Sequence, residues 1–256
     1  MNTRVKSTAE IGAMRESGQM LATVLKLLKS AVSAGMSTKD VAQLAASELH
    51  ALGGKPAFLG YQGFPDVICI SLNQEVVHGI PSAKRIIQTG DILSLDFGVD
   101  YQGMITDGAI SVIVGTALDK RHAELLRATE ASMIAGIGVL RDQIRTGDIG
   151  AAVQAVLENP KLGGPYGIVR DLVGHGVGHE LHEDPNIPNY GRPNTGPWLS
   201  KGMTIAIEPM ATLGSDHVYV APDGWTILTR DGSWAAHFEH TVLITEDGAE
   251  IITEIH

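Results

Sequence analysis

Apolar residues recur at intervals of three and four from about residue 7 to 33, where Ile11, Met14, Leu21, Val24, Leu25 and Leu28 mark one face of a helix. Ser7 followed three residues later by Glu10 has the form of a capping box, which places the helix start. A second helix is predicted after Ser37 on Val41, Leu44, Ala45 and Leu49, stopped by Gly53 and Gly54. Beyond Pro56 the pattern changes: VICISL, DILSLDFGV and MITDGAISVIV read as strands, separated by turn residues such as Asn73, Pro81 and Gly90. Helical spacing returns near 118–140 and 147–158, and after Pro165 the runs IVRDLV, TIAIEPM and HTVLIT again read as strands. A helical layer followed by strands therefore occurs twice, and no Ser- or Gly-rich linker divides the chain. The expected architecture is α/β (α+β), a single domain over residues 1–256 in two similar halves, about 1–116 and 117–256.

The halves echo each other at finer grain. Gly90-Asp91-Ile92-Leu93-Ser94-Leu95-Asp96 and Gly202-Met203-Thr204-Ile205-Ala206-Ile207-Glu208 both run from a turn glycine through apolar alternation to an acid six residues on. A second acid follows on a later strand, Asp107 before GAISVIV and Glu239 before HTVLIT. An ionised carboxylate inside an apolar strand is costly unless its charge is compensated. Glu208 has no lysine or arginine within four residues, and Glu239 in AAHFEHTVLI has only histidines close by. Any one of these acids could be a strand-end residue capped by backbone amides or paired with an arginine; four with repeated spacing point to a bound cation. Oxygen ligands with one or two imidazoles suit Mn, Fe, Co or catalytic Zn, and bridging carboxylates can hold two divalent ions about 3.5–4 Å apart.

The histidine best placed to join them lies in Gly174-His175-Gly176-Val177-Gly178-His179-Glu180-Leu181-His182-Glu183, where alternating glycines let the backbone approach a ligand closely. His175, flanked by two of them, is the first choice; His182 and His78, the latter leaving an apolar strand beside a Gly and a Pro, are further candidates, although a lone histidine of this kind is more often structural. HELHE is not the zincin motif, since its second histidine comes one residue early and the surrounding glycines and Pro185 oppose a helix. GHGVGHE is not a dinucleotide fingerprint, because no long helix pattern follows it.

Composition narrows the class. A chain that is 44% hydrophobic can bury a substantial core, and its net charge of −10 with scattered cations argues against nucleic-acid binding. The only cysteine, Cys69, has no partner for a disulfide and sits in a strand pattern. No run approaches the roughly 18 apolar residues of a membrane span, and the N-terminus lacks a signal-peptide core. A cytoplasmic protein without membrane association is expected.

Taken in order, EIGAMRESGQMLATVL, GYQGFPDVICISLNQEVVHGIP, DILSLDFGVDYQGMITD, GHGVGHELHEDPNIPNYG, GMTIAIEPM and DGWTILTRDGSWAAHFEHTVLITEDG resemble the type I methionine aminopeptidases over nearly the whole chain. The resemblance implies the pita-bread fold, a pseudo-twofold duplicated antiparallel sheet with helices on its outer face, here as a single catalytic domain of the short bacterial form. Carried over by position, it implies metal ligands at Asp96, Asp107, His175, Glu208 and Glu239, the set reached from charge. It places two substrate-facing histidines at His78 and His182, and a methionine pocket lined or bordered by Tyr61, Phe64, Cys69 and Trp225. Phe58 stands where many relatives have a smaller residue and Leu181 where many have an aromatic one, so the pocket shape is its own. The implied cofactors are two divalent metal ions (Co, Mn, Fe or Zn).

The implied reaction removes the N-terminal methionine of nascent proteins when the second residue is small, by attack of a metal-bridging hydroxide. Glu208 would take the proton, His182 steady the oxyanion and His78 hydrogen-bond near the scissile nitrogen. The implied partners are nascent polypeptide N-termini, with transient ribosome association, and the implied state is a monomer. Rival readings are a dipeptidase or proline-specific aminopeptidase of the same fold, separable by comparing Met-Gly-X with X-Pro-Y peptides, and a binding module that has lost its ligands.

Overall fold

A computed structural model describes residues 4–254; residues 1–3 and 255–256 of the expected unit lie outside the described residues. Helix α1 (Thr8–Ala31) starts where Ser7 Oγ accepts from the Glu10 N–H and the Glu10 carboxylate accepts from the Ser7 N–H. It ends two residues short of the expected 33, because Val32 turns extended. Helix α2 (Thr38–Leu52) repeats the device with Ser37 and Asp40, and stops at Gly53, whose φ of 84° is left-handed. Met14, Leu21, Val24, Leu25 and Leu28 of α1 and Val41, Ala45 and Leu49 of α2 are buried, as their spacing predicts.

The centre is a nine-stranded antiparallel sheet: β1 (Lys55–Pro56), β2 (Cys69–Leu72), β3 (Ile92–Tyr101), β4 (Met104–Ile113), β5 (Gly174–Gly176), β6 (Glu183–Ile187), β7 (Thr204–Ile207), β8 (Glu239–Ile244) and β9 (Ala249–Ile251). Its spatial order is β1-β3-β4-β8-β7-β5-β6, with β2 paired to β3 and β9 to β8. The hairpin β3-β4 of the first half and the pair β7-β8 of the second meet at β4-β8, so an antiparallel pair lies on each side of that seam.

Strand periodicity decides what each face does. Leu93, Leu95, Phe97 and Val99 of β3 pack with Leu21, Val24, Leu28, Val41 and Leu49 of α1 and α2. Ile205 and Ile207 of β7 and Val242 and Ile244 of β8 pack with Leu125 and Met133 of α3 (Lys120–Gly138) and Ile149 and Val153 of α4 (Thr146–Leu157). Each half thus builds its own helix-on-sheet core. Alternate residues of β3, Ser94 and Asp96 among them, turn to the opposite, concave face.

Register then gathers the acids. Asp96 is paired with Ala109 of β4, Ala109 with Glu239 of β8, and Gly98 with Asp107. In antiparallel pairing directly opposed residues project to the same side, so Asp96, Asp107 and Glu239 share one face. Cys69 is paired with Asp96 from the other side and joins them.

Two expected strands differ. TIAIEPM is strand only to Ile207; Pro209 offers no N–H, and Met210–Thr212 belongs to a separate three-stranded sheet with Gly167–Ile168 and Ala235–His237. IVRDLV supplies only its first residue to that sheet, because Arg170 and Asp171 are both exposed and break the alternation. In another small sheet Ile227–Thr229 is paired with both Glu75–Val77 and Val218–Val220.

Candidate metal centre

The concave face carries a cavity of about 150 Å³. Every site residue named from the sequence lines it: Asp96, Asp107, His175, Glu208 and Glu239, His78 and His182, and Phe58, Tyr61, Phe64, Cys69, Leu181 and Trp225. The wall also includes Gln62, which no sequence signal had singled out.

His175 sits on β5 between two glycines, and its place depends on them. A Cβ on Gly174 would come 2.4 Å from the Ala206 carbonyl oxygen of β7. The His175 Nδ1 lies 3.0 Å from the Gly176 carbonyl. A carbonyl can only accept, so Nδ1 carries the proton and Nε2 presents a bare lone pair. That lone pair stands 3.4 Å from Glu208 Oε1 and 4.0 Å from Asp107 Oδ2. Lone pairs facing carboxylate oxygens repel unless a proton or a cation lies between them.

The carboxylates are in the same condition. Asp96 Oδ1 and Glu239 Oε1 are buried with no hydrogen-bond partner, and among the described residues no lysine or arginine is paired with any of the four acids. Burial, reinforced by the neighbouring acids, holds Asp96, Glu208 and Glu239 well above the usual carboxylate range, and burial pushes Asp107 up to about 7. Burial drives His175 down to about 3, which keeps its lone pair free. One Asp107 oxygen accepts from the Gly108 N–H at 2.9 Å, and its backbone is clamped by Thr241, whose Oγ1 accepts from the Asp107 N–H and donates to its carbonyl.

The donor atoms of Asp107, His175 and Glu239 lie within 4.8 Å of one another, and so do those of Glu208, His237 and Glu239. Asp96 belongs to neither group but borders them through the register of β3 and β4. This donor set, oxygen-rich with buried neutral imidazole and orphaned carboxylate oxygens, fits hard or borderline divalent cations. His237 was missed by sequence reasoning. The only signal was its place two residues before Glu239, and that resembled one more histidine in AAHFEHT.

The remaining wall is apolar. Phe58, Phe64, Cys69 and Leu181 are buried together, with Tyr61 and Trp225 packed against them. Phe64 meets Trp225 edge-on with centroids 5.1 Å apart, and Trp225 is edge-on to His78 at 6.3 Å. Phe58 covers Gly98, where a Cβ would lie 2.6 Å from its ring. Burial and the nearby His182 lower His78 to about 4. His78, which lines the cavity, has a left-handed backbone, with φ of 59°. His182 is exposed and stands over His175, ring centroids 4.3 Å apart, with the Tyr61 hydroxyl 2.8 Å from its Nδ1.

The loop bearing Leu181 and His182 is not helical, which disposes of the zincin reading of HELHE. It is tied down by Glu183, whose Oε1 accepts from the His179 and Glu180 N–H groups and whose Oε2 meets the buried Lys6 ammonium at 2.9 Å. A Cβ on Gly178, at φ of 145°, would lie 2.4 Å from the Lys6 Cε.

Comparison with known proteins shows the family. The profile of metallopeptidase family M24 matches residues 12–246. Methionine aminopeptidase 1 of Bacillus subtilis is 43% identical over 250 residues, covering 98% of each chain. The crystal structure of methionine aminopeptidase from Thermotoga maritima superposes with a TM-score of 0.95 at 45% identity, covering 99% of this chain and 100% of that one. The prolidase from Pyrococcus furiosus shares the fold at a TM-score of 0.76 and 23% identity, this chain spanning 66% of its length.

Proposed function

The chain belongs to metallopeptidase family M24, among its methionine aminopeptidases, and on that premise we propose that Asp96, Asp107, His175, Glu208 and Glu239 hold two divalent ions beside a methionine pocket. One observation carries the reading: four carboxylates without a cationic partner, Asp96, Asp107 and Glu239 buried and Glu208 half-buried, converge with one bare imidazole lone pair on a single cavity wall. Bound divalent ions supply two things there, acidification of a water and polarisation of the substrate carbonyl.

The chain's own residues do the rest. Phe58, Phe64, Cys69, Leu181 and Trp225 receive one unbranched apolar side chain and exclude water around it, with Tyr61 at the border. His78 stays neutral near pH 7 and hydrogen-bonds the scissile amide. His182, oriented by the Tyr61 hydroxyl, donates to the developing oxyanion. Glu208 accepts the proton from the attacking water and returns it to the leaving amine. The pocket holds only the first side chain, and the second residue must be small to lie against His78 and His182.

We read residues 1–256 as one catalytic domain of two pseudo-symmetric halves, about 1–116 and 117–256, with Co, Mn, Fe or Zn as the ions. It would act as a cytoplasmic monomer on nascent N-termini, with transient ribosome contact and no nucleic acid. Among the described residues no helix is long and apolar enough to cross a membrane.

The test is to strip the protein of metal and assay Met-Ala-Ser, Met-Lys-Ser and an X-Pro-Y peptide before and after reloading each ion. Activity should vanish on chelation and return, on Met-Ala-Ser above all. Full activity with no metal by elemental analysis refutes the metal centre, and equal rates on Met-Ala-Ser and Met-Lys-Ser refute the pocket assignment.

A further inference from the structure

The chain leaves the central sheet at Glu208-Pro209 and returns to it at Phe238-Glu239. Between these corners Met210 is paired with His237 in the small sheet, so the corner strands run side by side and bring the His237 ring behind Glu208. The backbone of His237 is pinned: its N–H donates to Ser111 Oγ and its carbonyl accepts from the same hydroxyl. Its ring is not. Only 1% of the residue is exposed, and neither ring nitrogen has a hydrogen-bond partner. A histidine used only as filler would be expected to satisfy at least one of them.

The His237 Nε2 stands 3.7 Å from Glu208 Oε2 and 3.9 Å from Glu239 Oε2. His175 stands 3.4 and 4.0 Å from its two carboxylate oxygens. All four separations exceed a good hydrogen bond. They fall in the range set by two ligand atoms on one ion, about 3.4 Å apart at a tetrahedral angle and about 4.2 Å when opposite, for bonds of about 2.1 Å. His237 therefore faces its two acids as His175 faces its own, and the Glu208 carboxylate lies between the rings, Oε1 toward His175 and Oε2 toward His237.

We propose that His237 is an additional imidazole donor of the metal centre, grouped with Glu208 and Glu239 around a cation position on the side of Glu208 away from His175. The assignment rests on the metal-centre reading above and extends it to selectivity. A second imidazole makes the site more favourable to Co(II) and Zn(II) relative to Mn(II) than carboxylates and His175 alone would.

Metal-free wild type and the His237→Gln and His237→Leu variants are titrated calorimetrically with Co(II), Zn(II) and Mn(II), and the visible bands of the Co(II) forms are recorded. Both variants should bind Co(II) and Zn(II) weaker by roughly 10–100-fold or more, lose less affinity for Mn(II), and show shifted Co(II) bands. Unchanged affinities and bands overturn the role of His237. A wild type that binds none of the three ions overturns the metal centre instead. X-ray absorption on cobalt-loaded wild type needs no variant to fold: two imidazoles over the loaded centre are expected, and one refutes the assignment.

Discussion

Replacing Lys6 by Met is expected to cost both stability and turnover, although Lys6 touches no substrate. Its ammonium is fully buried, 2.9 Å from a Glu183 carboxylate that is itself buried. Removing one member of such a pair leaves the other charged and dry, which costs about 3–5 kcal/mol. Glu183 Oε1 keeps its two backbone donors, at 2.7 and 3.3 Å, so the lower end applies. About 3 kcal/mol corresponds to a melting temperature roughly 6–12 °C lower for a chain of this size. The same carboxylate sets the turn that presents Leu181 and His182, so kcat/KM on Met-Ala-Ser should fall while metal stoichiometry holds. Lys6→Met/Glu183→Gln, which leaves no charge buried, should recover part of the stability. Thermal or urea unfolding of the three proteins in the metal-free state decides the matter. A Lys6→Met variant within about 0.5 kcal/mol of wild type would refute the reasoning.

His78→Ala should lower kcat by about 10²–10⁴ with metal content unchanged, whereas Asp107→Ala should weaken metal binding together with activity; elemental analysis and single-turnover rates separate the two. His78 should titrate near 4 rather than 6.5, followed by NMR of its ring protons in the metal-free protein, and an inflection between 6 and 7 contradicts that. Because the folded state then binds fewer protons than the unfolded one between those values, His78 makes stability rise with pH across that window and contributes no further change above it. Leu181→Phe should sharpen discrimination between Met-Gly-X and Leu-Gly-X peptides, read as the ratio of kcat/KM values.

Much of this was legible in the sequence because local rules and tertiary demands agree. The Ser7–Glu10 and Ser37–Asp40 boxes form, and the alternation of β3 sends Leu93, Leu95 and Phe97 to the helices and Asp96 away from them. What escaped depends on corners. The hairpin Val218–Val220 with Ile227–Thr229 is too short for its period to speak. TIAIEPM reads as one strand, yet Pro209 divides it between two sheets. His237 matters only because that division brings its strand beside Met210, and no spacing along the chain records the encounter.

The seam between β4 and β8 also governs how the protein is made. Asp107 and Thr241, bonded across it, are 134 positions apart in the chain. At about 5–20 residues per second, a ribosome needs roughly 7–27 s to deliver the second after the first. Throughout that interval the hairpin β3-β4 carries an unpaired edge of largely buried-type residues, the kind that pairs with whatever strand arrives first. An enzyme that would trim newborn chains is thus, while newborn itself, a client in need of shielding, and Glu208 and Glu239 follow Asp107 only after a further 101 and 132 positions.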